Sequence, residues 1–152
     1  LTGRWFLEVW FANKETNNTN NLFQALENFN AALKVKNSWW LQGYKCVVLK
    51  LLRKREFGLE VVKFTERMLE VYNNKPLQPS VKIYLASAFI LSDNMDKLKS
   101  FLNKVNIQAS YPSDFEDTIF HRIEMIYHDN IEKKNQYDTI MKNWILSQPR
   151  KK

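Results

Sequence analysis

Residues 25–37, ALENFNAALKVKN, set a small side chain at Ala25, a large aromatic at Phe29 and a second small one at Ala32. At 3.6 residues per turn the three share one face of an amphipathic helix. A small residue on such a face lets the two helices of a hairpin approach closely, and an aromatic four positions on fills the space toward the next hairpin. The stretch therefore predicts an amphipathic helix with one closely packed face.

The composition supports the same fold class. The 152 residues are 45% apolar and 14% aromatic, which suits one folded domain over 1–152. Three glycines and four prolines provide few of the tight turns on which an all-β chain depends. Apolar runs such as AFIL and VVL fall far short of the roughly 20 residues of a membrane span, so no membrane partner is expected. The chain opens on neither Met nor an apolar leader and reads as a portion of a longer protein. Cys46 is the single cysteine and has no second thiol for a disulfide or a zinc site, which fits a reducing compartment, nuclear or cytoplasmic. Asn17-Asn18-Thr19 matches a glycosylation acceptor, a chance match in an Asn-rich chain.

Helical periodicity recurs along the sequence. In SWWLQGYKCVVLKLLRKRE, residues 38–56, Trp40, Leu41, Tyr44, Val47, Val48, Leu51 and Leu52 share an arc of roughly 140°, with Lys45, Lys50, Arg53 and Lys54 outside it. This predicts a surface helix with one buried face. A break is expected near Phe57-Gly58, after which LEVVKFTERMLEVY resumes the helical period until Pro76. Ser80 is placed to cap VKIYLASAFIL, and Asp93 to cap MDKLKSFLNKV. NIQASYPS reads as loop, and Ser113 with Glu116 forms a capping-box pattern before DFEDTIFHRIEMIY. HDN interrupts, and KKNQYDTIMKNWILSQ buries Tyr137, Ile140, Met141, Trp144 and Ile145. Before all these stand RWFLEVWFAN, apolar nearly all round, and the low-complexity KETNNTNN, which reads as loop. The expectation is all-α, about four antiparallel hairpins in series.

The spacing of Ala25, Phe29 and Ala32 resembles the second helix of the tetratricopeptide repeat. Leu85, Ala86 and Phe89 are similar to the Leu, Gly and Tyr of that repeat's first helix, and Leu98, Leu102 and Val105 to the Ala, Phe and Ala of its second. Gly58 and Tyr137 stand for the corresponding first residue in the second and fourth hairpins. The steps from Ala25 are then 33, 40 and 39 residues against the family's 34, so the repeats are irregular. The resemblance implies a right-handed α-solenoid whose first helices line a concave groove.

The sequence carries no recognisable catalytic pattern. His121 and His128 lie two helical turns apart, with no carboxylate or thiol set to complete a metal site. Glu116 and Asp117 sit where negative charge offsets a helix dipole, which explains them better than acid-base work. With no phosphate loop and no nucleophile elbow, the expectation is a non-catalytic protein without cofactor or metal. The formal charge of +7 points to an acidic partner. Lys45, Lys50, Arg53 and Lys54, with Lys82 of the third hairpin, are the expected contact residues. Lys97, Lys99, Lys104, Lys133, Lys134 and Arg150-Lys151-Lys152 add charge elsewhere, and Glu56, Glu60, Glu66 and Glu70 offset it. Trp5, Phe6, Val9, Trp10 and Phe11 make the first helix a docking face for the remainder of the parent protein. The expected function is a scaffold that binds a partner subunit or acidic peptide; the alternative is an RNA-binding helical repeat using its basic face.

Overall fold

The computed structural model describes residues 2–13, 19–74, 79–105 and 112–147, with side chains at these positions except 79 and 112–117. Among the described residues it holds eight α-helices and no strand: α1 (Thr2–Ala12), α2 (Asn20–Val35), α3 (Trp39–Leu51), α4 (Glu56–Asn74), α5 (Pro79–Leu91), α6 (Met95–Lys104), α7 (Pro112–Ile126) and α8 (Ile131–Ser147). The expected all-α class is observed. Two compact units divide the chain, Leu1–Glu70 and Val71–Lys152, with the boundary inside α4. The Ser113–Glu116 capping box, Asp117, the Asn17-Asn18-Thr19 acceptor and the basic C-terminus lie wholly or partly outside the described side chains.

In the first unit α2 packs between α1 and α3. Ala25 and Phe29 are fully buried, and the Phe29 ring stacks on Tyr44 of α3 at 5.6 Å between centroids. Gly3 makes a close approach of α1 to α2. A β-carbon at Gly3 would lie 2.7 Å from the Phe29 ring. Gly58 plays no such part, because a β-carbon there meets nothing within 4 Å. Glycine-to-alanine changes inside helices ordinarily stabilise by about 1 kcal/mol. Gly3→Ala is expected to destabilise by about 1–2 kcal/mol instead, since the buried ring must move. Urea unfolding gives the sign directly.

α3 departs from the expected single buried face. Cys46 and Leu49 are buried along with Leu41, Val47 and Val48, while Trp40, Tyr44 and Leu51 are only half-buried. Leu49 falls between Lys45 and Arg53 around the axis, and Cys46 between Arg53 and Lys50. The helix is covered on two sides, so its basic residues do not form a continuous outer face. α4 turns Val61, Phe64 and Met68 inward, at helical spacing. The Arg67 guanidinium fixes the helix to the α2–α3 connection, donating to the Asn37 side-chain and main-chain oxygens and to Gln42 Oε1 at 3.2 Å.

The α3–α4 break lies at Leu52–Arg55, ahead of the expected Phe57-Gly58. Arg53 takes φ of 56°, and the Lys54 and Arg53 N–H groups donate to the Leu49 and Lys50 carbonyls, both at 3.0 Å. This is the Schellman closure, with arginine in the left-handed position that usually holds glycine. The α5–α6 turn repeats it: Asp93 has φ of 54°, and Asn94 and Asp93 donate to the Phe89 and Ile90 carbonyls. Asp93 is thereby spent on ending α5. The cap of α6 is Asn94, whose side chain accepts from the Lys97 N–H at 3.1 Å. Ser80 is likewise no cap, because α5 begins at Pro79, a residue whose fixed φ suits the first helical position.

In the second unit α5 packs against α6 and α7, α7 against α8, and α6 against α8. Two hairpins therefore lie side by side, first helix on first and second on second. α5 is the central element, with every residue from Leu85 to Leu91 buried. The turns lock together through polar contacts. Tyr137 donates to Asp93 Oδ1 at 2.7 Å, and Lys133 Nζ lies 2.8 Å from Asp93 Oδ2. Tyr127 donates to the Ile90 carbonyl at 2.6 Å and stacks on Tyr137 with ring centroids 5.2 Å apart. Further along α8, the Trp144 indole donates to the Leu102 carbonyl at 2.8 Å. Ile140, expected in the core, is half-buried.

Burial holds the Tyr127 and Tyr137 hydroxyls well above their ordinary pKa of 10.0, with the Asp93 carboxylate adding to both. Burial, with Glu60 adding to it, pushes the Cys46 thiol up from 9.0 to about 12. The native chain thus keeps protons that the unfolded chain releases, first at Cys46 and then at the tyrosines. Stability from these groups is complete below about pH 9 and declines as pH rises beyond it. Urea midpoints between pH 7 and 11 should fall on the alkaline side, and Tyr137→Phe should make that fall shallower above pH 10.

Candidate interaction surface

The expected contact residues separate into two groups. Lys50, Arg53 and Lys54 gather where α3 ends, joined by the exposed Arg55. The left-handed turn at Arg53 throws its side chain outward, and the exposed end of α3 favours cations beside its last carbonyls. Lys50 Nζ lies 5.3 Å from the Phe57 ring centroid, and Lys54 Nζ 5.5 Å from that of Phe23. Each such contact contributes about 0.5–1 kcal/mol at an exposed site and narrows the positions the ammonium occupies. Lys45 stands more than a turn earlier on α3 and is half-buried. Lys82 belongs to the second unit, and at 7% exposure it does not contribute to an exposed charge surface.

Aromatic neighbours were the missing signal. Phe23 is 48% exposed, and its position on α2 beside a lysine of the α3–α4 turn depends on tertiary packing that no local spacing announces. In α1 the same kind of aromatic exposure occurs at Trp5, 61% exposed and edge-on to Phe6, whereas Gly3, Leu7 and Trp10 are buried. Arg4 spends its charge over the Tyr44 ring at 5.4 Å.

In the second unit several basic residues are paired. Lys133 meets Asp93, and Lys134 meets Asp138 at 2.9 Å, a hydrogen bond that raises the lysine's pKa. Arg122 lies over the Tyr84 ring at 4.5 Å. In the first unit Lys34, Lys36 and Lys63 are exposed as well, and the α3–α4 turn differs from them in holding Lys50, Arg53 and Lys54 close together, two of them beside aromatic rings. The Cys46 thiol is buried and held in its neutral form, which makes it a poor nucleophile. Among the described residues no group of three His, Cys, Asp or Glu side chains is placed to hold a metal ion, and no helix is long and apolar enough to cross a membrane.

No family model, no curated protein and no solved structure matches the chain.

Proposed function

We propose that the chain is a non-catalytic interaction module of the tetratricopeptide-repeat kind, a right-handed solenoid segment of a nuclear or cytoplasmic protein that holds a partner subunit or an acidic peptide. The observation that carries this reading is the pairing of α5–α6 with α7–α8, like helix against like. Such stacking repeats a surface along one direction, which suits an extended partner better than a small substrate. The basic turn at Lys50, Arg53 and Lys54 supplies the charge that selects an acidic one.

A second reading, RNA binding, is favoured by the net charge of +7 and by Arg53 and Arg55, exposed side chains suited to phosphate. The two separate in one experiment. The chain is used as bait, in parallel with a variant carrying Lys50→Glu, Arg53→Glu and Lys54→Glu. Loss of at least tenfold in a retained protein, insensitive to nuclease, is the expected result. Retention of RNA alone, lost in the variant, would transfer the assignment to the second reading.

A further inference from the structure

An exposed seam runs along the first half of α4, within the first unit and on the side away from its core. At 100° per residue Arg55, Leu59, Val62 and Glu66 fall within about 60° of arc, centred about 160° from the buried Val61, Phe64 and Met68. Leu59 is 62% and Val62 52% exposed, and the exposed Arg55 and Glu66 stand at the two ends. Steps of four, three and four residues are those of a coiled-coil seam. We propose that this seam pairs with the same seam of a second copy of the chain, antiparallel and about a twofold axis. The resulting weak dimer is independent of the acidic-partner reading.

The order of the residues selects the occupant. A twofold axis reverses one helix against the other, so each end of the seam meets the opposite end of its copy. Setting Leu59 against the partner's Val62 also sets Val62 against the partner's Leu59. In the same register Arg55 meets the partner's Glu66, and Glu66 the partner's Arg55. Two apolar layers are thus closed by an ion pair at each end. On one flank Lys63 comes within about 3 Å, along the axis, of the level of the partner's Glu56. Among the described residues Arg55, Glu56, Lys63 and Glu66 form no ion pair within the chain, so all four charges are available across the axis.

The competing register is excluded by charge. Leu69 is 37% exposed, and pairing it with the partner's Leu59 would set Val62 against Glu66 and each Lys63 against the other. An unrelated helix would need apolar and charged residues placed to match, whereas a second copy has them by symmetry. On the other flank Gly58, where a β-carbon would meet nothing within 4 Å, leaves room for a second backbone to approach. Four seam residues a side make a small contact, at the low end of protein–protein interfaces. Exposed ion pairs set register more than they add affinity. The dimer therefore forms at high local concentration.

Sedimentation velocity of the 152-residue chain at low salt tests this, with loading raised from about 10 µM to about 1 mM, the range of a weak contact. The chain should pass from monomer toward dimer. Arg55→Glu and Glu66→Arg, both at exposed positions, should each weaken dimerisation at least tenfold, with circular dichroism confirming that both variants fold. An equimolar mixture of the two should recover it, because one copy then carries glutamate at both ends of the seam and the other arginine. The chain that combines both substitutions should also recover it. A chain that remains monomeric at the highest loading, or a dimer that the single reversals leave unchanged, would overturn the proposal. Loss in both variants without recovery on mixing would overturn it as well, since overall charge and not this register would then govern association.

Discussion

Phe29→Ala is expected to lower the stability of the first unit by about 3–5 kcal/mol, the upper range for a buried aromatic. The ring is 1% exposed, covers Gly3 on α1 and stacks on Tyr44 of α3, so one truncation loosens three helices. Urea unfolding followed by tryptophan fluorescence reads the loss, since Trp5, Trp10, Trp39 and Trp40 lie in this unit. A double-mutant cycle makes the contact explicit. In the Phe29→Ala background the β-carbon added by Gly3→Ala meets a cavity instead of a ring, and its cost should disappear. Additive effects at the two positions would show that the rim of the ring and the α1 backbone are not in contact.

Asp93→Ala should cost about 2–4 kcal/mol. It removes the acceptor of the buried Tyr137 hydroxyl, breaks the pair with Lys133, and puts a β-carbon without compensating polarity in a left-handed conformation. Arg53 provides the comparison, because it occupies the same place in the same helix ending, whereas the bonds from Tyr137 and Lys133 go to Asp93. Arg53→Gly should stabilise by up to about 1 kcal/mol through relief of the backbone. Asp93→Gly gains the same relief and should still destabilise, since Tyr137 and Lys133 lose their partner. Opposite signs for the two glycine substitutions, read from thermal midpoints, are the expected outcome. Equal signs would mean that the Asp93 carboxylate does not join the two hairpins.

Periodicity alone revealed the helices and most of their inward faces, because burial of an apolar stripe is a local pattern. Leu85, Ala86, Phe89, Leu98, Leu102 and Val105, selected by spacing, are all buried. What depends on tertiary neighbours was not legible. Cys46 and Leu49 lie outside the α3 apolar arc, and the structure buries them because the helix is covered from two sides. Gly58 and Gly3 look alike in sequence, and only the approach of Phe29 distinguishes the one that packs. Asp93 and Asn94 are both good caps, and the left-handed turn decides between them. Of the candidate contact residues, the Lys50–Lys54 cluster was visible as a charge run, but the burial of Lys82 was not.

The most direct measurement is a pair of titrations by fluorescence anisotropy, one with a labelled Glu- and Asp-rich dodecapeptide and one with an RNA oligonucleotide of equal charge. Both are repeated with Lys50, Arg53 and Lys54 changed to glutamate. The acidic peptide should bind more tightly than the RNA, weaken as salt is raised, and lose at least tenfold in affinity in the variant. RNA binding tighter than peptide binding, or peptide affinity untouched by the three reversals, would contradict the assignment of this chain as a module for an acidic protein partner.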